Sequence, residues 1–350
     1  MRTVILLMTA SCIWAGEVRI TPTAAPKVNS PQRALAEETQ SVSAPVAGYA
    51  VTQSPLSVRG LLGAPGAIHY ADAPFTLPEG VRDVRIAPGH GWLLAVRGEN
   101  EAASAWIPEQ GLERELGVVR GADWSVEFSG GGESALFLVP STGRAYVFTG
   151  LPNEPEMAAD LSAADWPADI AGLAISRDGK LLTACTRQGG VWLLAANGQP
   201  AHRLLADGLP AASIAFDRGS GRLLILDRTA GRVLTVEAPE QGTGALVLLP
   251  ETGSAWSAAA RLLSVPDGVL VADSETGRVA KIVLETQSVE FSEAGAFSEA
   301  RPLRWQGSLL LSGLEGAASR IFAPQPGAES AVSYVPISRT LEVTGEGEQQ

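Results

Sequence analysis

Cysteine is almost missing from this chain: 350 residues carry two, Cys12 and Cys185. One lies near the N-terminus and the other inside an apolar run, so neither a disulfide framework nor a cysteine metal site can be built from them. Cys185 reads as a small buried hydrophobe. Histidine is nearly as scarce, with His69, His90 and His202 in unlike sequence contexts. A shared histidine ligand set is therefore not expected. No G-x-S-x-G is present, which removes the strained nucleophile turn of a serine hydrolase. No G-x-x-x-x-G-K-[ST] is present either, which removes that phosphate-binding loop. Runs of Lys or Arg are also absent. With 38 acidic against 26 basic residues and a net charge of −12, the overall field repels phosphate backbones, and nucleic acid is not an expected partner. No cofactor is expected, and the balance favours a non-enzymatic protein.

What is present is turn chemistry between short apolar runs. There are 38 Gly and 23 Pro, 45% hydrophobic residues and 18% charged ones. That composition buries a large core and suits many short strands. Residues 170–199, IAGLAISRDGKLLTACTRQGGVWLLAANGQ, form one clear unit. Three apolar runs are separated by two tight turns, RDGK and TRQGG. The unit recurs at roughly 40–47 residues, the period of four-stranded propeller blades. The first turn returns as PGHG at 88–91, GGGE at 130–133, DRGSGR at 217–222, PDG at 266–268 and QGS at 306–308. The second turn returns as STGR at 141–144, TAGR at 229–232, ETGR at 275–278 and ASR at 318–320. Gly and Asp recur there because tight hairpins need residues that tolerate φ > 0. ELGVV, AHRLLA, ALVLL, SVEF and AVSYV are candidate fourth strands. The expected fold is all-β: a β-propeller of four-stranded antiparallel blades, seven in number, with six as the alternative. Six units are complete between residues 81 and 337. The seventh would combine residues 49–62 with whatever 340–343 add, because an open ring leaves exposed sheet edges.

SRDGK followed by LLTA resembles the turn of YVTN-type blades, and VADSETGRV resembles that of NHL blades. The chain thus resembles the broad group of YVTN, NHL and WD-repeat-like bacterial propellers. That resemblance implies the fold and leaves the activity open. Gluconolactonase- and regucalcin-type propellers hold a divalent cation at the central channel, and Asp123, Asp169, Asp227 and Asp273 could approach such a channel. The competing expectation is that Asp227 and Asp273 accept backbone N–H bonds within the second turn.

The N-terminus reads as an export signal over residues 1–15, with Arg2 before a short apolar run that is too short to span a bilayer. Thr9-Ala10-Ser11-Cys12 resembles a bacterial lipobox, which implies lipidation of Cys12 and membrane attachment. The alternative is ordinary signal cleavage between Ala10 and Gly16, with Cys12 incidental. Residues 16–48 are rich in Pro, Ala, Ser and Thr and read as a flexible tether. The propeller is expected over 49–343 and a disordered tail over 344–350. The expected location is periplasmic or extracellular, and the expected state a monomer.

Trp106, Tyr146 and Trp192 share a third-strand position and should pack between sheets. Trp124, Trp166 and Trp256 each precede a first strand. The loops that carry them should gather on one face with the second-turn residues Arg97, Glu99, Arg187, Arg228 and Glu275. Aromatics with interleaved arginine suit recognition surfaces. Trp124, Trp166, Trp256, Arg187 and Arg228 are therefore candidates for a face that binds a protein, peptide or glycan. The alternative for each Trp is a wedge at a blade junction. Two further functions stay open: a lactonase- or lyase-like channel enzyme, and a structural envelope lipoprotein in an assembly complex.

Overall fold

A computed structural model describes residues 45–335, apart from positions 54, 65–66, 99–101, 119–123, 220, 242–245, 249–254, 267, 287, 305–308, 313–318 and 324–330. Expectations about the export signal, Cys12 and the tail, and about any strand from 340–343, lie outside the described residues.

Seven antiparallel sheets form the ring of a seven-bladed β-propeller. Blade 1 comprises Val46–Gln53, Leu56–Leu62 and His69–Tyr70. Blade 2 comprises Val81–Ile86, Leu93–Arg97, Ala102–Ile107 and Leu112–Val118. Blade 3 comprises Ser125–Phe128, Ala135–Val139, Arg144–Thr149 and Glu156–Ser162. Blade 4 comprises Ile170–Ile175, Leu181–Thr186, Val191–Ala196 and Gln199–Ala206. Blade 5 comprises Ala211–Phe216, Leu223–Asp227, Arg232–Val236 and Leu246–Leu248. Blade 6 comprises Ala260–Val265, Gly268–Asp273, Arg278–Val283 and Ser288–Glu293. Blade 7 comprises Glu299–Pro302, Leu309–Ser312, Arg320–Ala323 and Ala331–Tyr334. First strands of neighbouring blades 3 to 7 lie against one another and so line the centre.

The second strands explain how the ring coheres. Side chains alternate between the two faces of a strand, and here both faces are covered by another blade. Leu223 and Ile225 enter the core shared with blade 4, while Leu224 and Leu226 enter the core shared with blade 6. A strand covered on both sides reads as a continuous apolar run, and Leu223–Asp227 is buried throughout. An apolar cluster fills each of the seven blade junctions. Trp106 is buried in one of them, and Tyr146 and Trp192 pack against two others.

One difference from the sequence-based expectation concerns blade 1. Its first strand begins at Val46, inside the stretch assigned to the tether, because Val46 pairs with Leu62 and Ala47 is fully buried. The described part of the ring closure is a packing and side-chain contact with blade 7. Among the described residues no C-terminal strand joins this blade; a bridge from Val58 to Phe75 extends its third strand instead. Ala47, Leu61 and Ile68 pack against Leu303, Leu310, Ile321 and Val335 of blade 7. The Arg304 amide donates to the Ala47 carbonyl at 3.2 Å. The Arg304 guanidinium donates to the Tyr49 hydroxyl at 3.1 Å and pairs with Glu109 at 2.8 Å. Tyr49 in turn donates to Glu109 at 2.8 Å. Burial and that bond to Glu109 push the Tyr49 hydroxyl well above its ordinary pKa, so it stays a donor.

Candidate functional site

The backbone brings second turns and blade-entry loops onto one face. The Arg187 amide donates to the Asp169 carbonyl at 3.0 Å, and the Leu209 amide to the Gly189 carbonyl at 2.9 Å. The Arg228 amide donates to the Pro210 carbonyl at 3.2 Å, and the Trp256 amide to the Arg228 carbonyl at 3.0 Å. Each bond ties a turn to the entry of the next blade or of its own, so residues 18 to 28 positions apart become neighbours. The turns themselves are held by their aspartates. Asp227 accepts from the Ala230 amide at 3.1 Å and from Arg232 at 3.0 Å. Asp273 is fully buried and accepts from the Ser257 hydroxyl at 2.6 Å, the Ser257 amide at 3.0 Å and the Glu275 amide at 3.1 Å. Burial alone would raise the Asp273 carboxyl, but these bonds outweigh it and hold the group below its ordinary value.

A cup of about 340 Å³ opens on this face, lined by Ala171, Arg187, Pro210, Ala211, Arg228, Ala258 and Arg261. The three arginines come from blades 4, 5 and 6. Arg187 and Arg228 were expected there; Arg261 was not. The Arg261 Nη1 donates to the carbonyls of Ala258 and Ala260 at 3.2 and 3.0 Å, which fixes its head at the rim. Among the described residues, neither the Arg187 nor the Arg228 guanidinium makes a hydrogen bond or ion pair.

Ala171 and Arg261 also line a second, larger cavity of about 510 Å³, which runs down the centre. Leu173, Ile214, Leu263 and Phe297 give it apolar wall, and Glu127 and Glu299 supply carboxylates. Glu299 is paired with Arg301. Glu127 is exposed to the channel yet ringed by inner strands. That enclosure pushes its carboxyl up to about 7, while the Arg261 charge works in the opposite direction. Beyond Glu127 the channel continues past Ala174 and Ile175 towards Pro88 and Gly130.

The tryptophans fall on the other side of the expected division. Trp166 and Trp256 are buried within the junctions of blades 3 with 4 and 5 with 6. The remaining face of Trp256 is covered by the Arg278 guanidinium, 4.5 Å from the ring centre. Trp124 is half-buried and packs near Phe137, with ring centres 5.9 Å apart. The expectation that these rings contact a ligand is therefore corrected for Trp166 and Trp256: they wedge junctions, because a large apolar ring beside two covered sheets gains more from burial than from solvent.

Other candidates separate similarly. Arg97 pairs with Glu113 and donates to the Glu79 carbonyl at 3.0 Å. Glu275 is exposed at its turn, away from the cup. Glu99 and Asp123 lie outside the described residues. Asp169 accepts from the Gln188 amide at 3.2 Å. Among the described residues no group of three or more His, Cys, Asp or Glu side chains is arranged to hold a metal ion. The oxygens of Asp227 and Asp273 are taken by turn bonds, so these carboxylates do not fit the cation set that the gluconolactonase-type resemblance implied. His69 and His202 are exposed in blades 1 and 4, and His90 sits in the first turn of blade 2. Cys185 is fully buried, and burial pushes its thiol up to about 11.

Arg261 and Glu127 are the residues that the sequence pattern passed over. Their signal was present: each is a charged residue within a short first strand, ARLLSV and SVEF, at an alternating position. In a propeller that position can face the centre.

No family model matches the chain, and no curated protein matches it. Solved structures do. PorZ of Porphyromonas gingivalis, a surface component of the type-IX secretion system, is similar at 14% identity with a TM-score of 0.56. The match covers 84% of this chain and 37% of PorZ. A functionally unknown protein from Desulfotomaculum acetoxidans is similar at 14% identity with a TM-score of 0.53, over 83% of this chain and 95% of its own. At such identities the shared property is the propeller fold.

Proposed function

We propose that this chain is an exported, non-enzymatic propeller that binds a protein, peptide or glycan partner on the face carrying Arg187 and Arg228. One observation supports the reading above others: three arginines from three consecutive blades surround one opening, and two of their guanidiniums have no partner within the described protein. Guanidinium groups are usually satisfied by carboxylates or carbonyls where they serve the scaffold. Left open around a cavity, they suit recognition. Export is inferred from the N-terminal signal pattern, which places the partner in the periplasm or outside the cell.

The test is a comparative pull-down from the native envelope fraction. Wild-type chain should recover a partner that the Arg187→Ala/Arg228→Ala double variant loses while keeping its melting midpoint. Equal recovery by both would remove this face from the function.

A second reading, an enzyme working inside the channel, draws support from Glu127. A carboxyl held near neutrality inside a cavity is suited to general acid–base work. The cation-dependent form of that reading predicts a melting midpoint that rises with calcium and falls with EDTA.

A further inference from the structure

The cup at the channel mouth has a chemistry of its own, and the inference here rests on the binding-face reading and deepens it. We propose that Arg187, Arg228 and Arg261 form a receptor for carboxylate groups, carried either by an acidic peptide segment or by a free polycarboxylic acid.

Composition points this way first. Apart from the arginines, the cup is lined by Ala171, Pro210, Ala211 and Ala258. None of these carries charge, and none fills space beyond its first carbons. The lining thus keeps about 340 Å³ open between three cationic heads. On a chain of net charge −12, three like charges around one opening repel one another unless an anion arrives. Among the described residues the nearby Asp169 and Asp227 do not fill that role: Asp169 accepts from the Gln188 amide, and Asp227 is held by Arg232 and the Ala230 amide.

Geometry narrows the anion. The guanidinium fork presents parallel donors that match the two oxygens of a carboxylate. Arg261 uses Nη1 on the Ala258 and Ala260 carbonyls, which leaves its other N–H groups for the cup. Arg261 also faces the Glu127 carboxyl across the shared cavity. That acid repels a phosphate dianion more strongly than a single carboxylate, and inorganic phosphate carries no organic group for the apolar wall below. Below the mouth, Leu173, Ile214 and Leu263 offer apolar wall to whatever the carboxylate is attached to.

The experiment is calorimetric titration of the full chain at low salt with citrate, an acetylated hexaglutamate peptide and inorganic phosphate. At least one carboxylate probe should bind, phosphate should bind more weakly, and higher salt should weaken binding. Tighter binding of the peptide identifies the source as a protein segment; tighter binding of citrate identifies a small acid. Arg187→Gln and Arg228→Gln should each weaken the better probe about tenfold, the loss expected for one charge-assisted contact. Arg261→Lys keeps the charge but loses the fork and should weaken it several-fold. Glu127→Gln should tighten binding at pH 8, a gain that damage to the fold cannot produce. The proposal is overturned by no carboxylate binding, by phosphate binding alone, or by unchanged affinity in the Arg187→Gln/Arg228→Gln variant. If the carboxylate arms fail while Arg187→Ala/Arg228→Ala still abolishes partner recovery, only the assigned chemistry falls and the binding face stands.

Discussion

Two places in the ring use arginine, and they use it differently. At the closure between blades 7, 1 and 2, Arg304 is held by the Tyr49 hydroxyl and the Glu109 carboxylate, with its guanidinium 5.5 Å from the Tyr49 ring centre. At the mouth, Arg187 and Arg228 carry the same group with no such partner among the described residues. The closure has a structural problem to solve, since two ends of one chain must meet. A triangle of tyrosine, carboxylate and guanidinium links the two where, among the described residues, no strand pairing does. The mouth has no such problem. Its turns are already held by backbone bonds and by Asp227 and Asp273, and among the described residues the Arg187 and Arg228 guanidiniums add no bond to them. An arginine with its bonds taken serves the fold; one left open beside a cavity is available to a ligand.

That distinction can be broken by mutation. The largest effect should come from Trp256, which sits beside the mouth yet belongs to the scaffold. Trp256→Ala should lower stability by about 3–5 kcal/mol, as large aromatic truncations do, read by chemical denaturation. A loss under about 1 kcal/mol would mean that the ring is free for a ligand. Arg304→Ala should follow, at about 1–2 kcal/mol, because the solvent-screened Glu109 loses its cation and the Tyr49 hydroxyl loses one of its two partners. Hydrogen exchange should then accelerate first in the amides of Val46–Gln53. Uniform acceleration around the ring would show that closure is carried by the apolar cluster instead.

How much of this could be read beforehand divides along the same line. Blades were legible because their turns repeat: Gly179 and Gly277 have φ of 71° and 74°, conformations that the RDGK and ETGR turns require. A Cβ on Gly277 would sit 2.5 Å from the Gly295 carbonyl carbon, so this glycine also permits a close approach of two loops. The turn role of Asp227 and Asp273 was legible for the same reason. Glu156–Ser162 was not, because EMAADLS has little β-branched or aromatic content; it becomes a strand by completing the ladder to Arg144–Thr149. The direction of Trp166 and Trp256 was illegible too. A Trp just before a strand can turn outward or into the junction, and only the neighbouring blade decides. The place of Arg187 and Arg228 at the mouth was legible from turn position, whereas that of Arg261 required knowing which edge of a first strand meets the centre.

Glu127 tests whether the channel shares the character of the mouth. Its carboxyl titrates near 7 in the folded chain against an ordinary value of 4.5. Arg261 and the Arg301-paired Glu299 are the other charged groups lining its cavity. Below pH 4.5 the group is neutral in both folded and unfolded chains and costs nothing. As pH rises towards 7 the unfolded chain ionises first, and folded stability falls; above 7 the loss is complete. Glu127→Gln should therefore match wild type at pH 4 and be the more stable of the two at pH 8. Channel water screens the charge, so the difference should be smaller than that for Arg304→Ala. Equal stability at both values would mean that Arg261 fully compensates the carboxylate.

The smallest expected effect is the sharpest test of the comparison. Among the described residues the Arg187 and Arg228 guanidiniums make no hydrogen bond or ion pair, so Arg187→Gln and Arg228→Gln should change stability by no more than about 0.5 kcal/mol each. The sign matters more than the size. Removing one of three neighbouring cations relieves repulsion, so each variant should be slightly more stable than wild type at low salt. Salt screens that repulsion within roughly 10 Å at 0.1 M, and the gain should shrink as salt is added. The closure behaves oppositely: Arg304 is attracted to Glu109, so losing it destabilises. Denaturation of the mouth variants at two ionic strengths, beside Arg304→Ala, reads both signs in one series. If Arg187→Gln or Arg228→Gln lost as much stability as Arg304→Ala, the mouth would be scaffold like the closure. A small salt-sensitive gain would instead mark these guanidiniums as charges the fold carries at a cost, which is what a site for an anionic group requires.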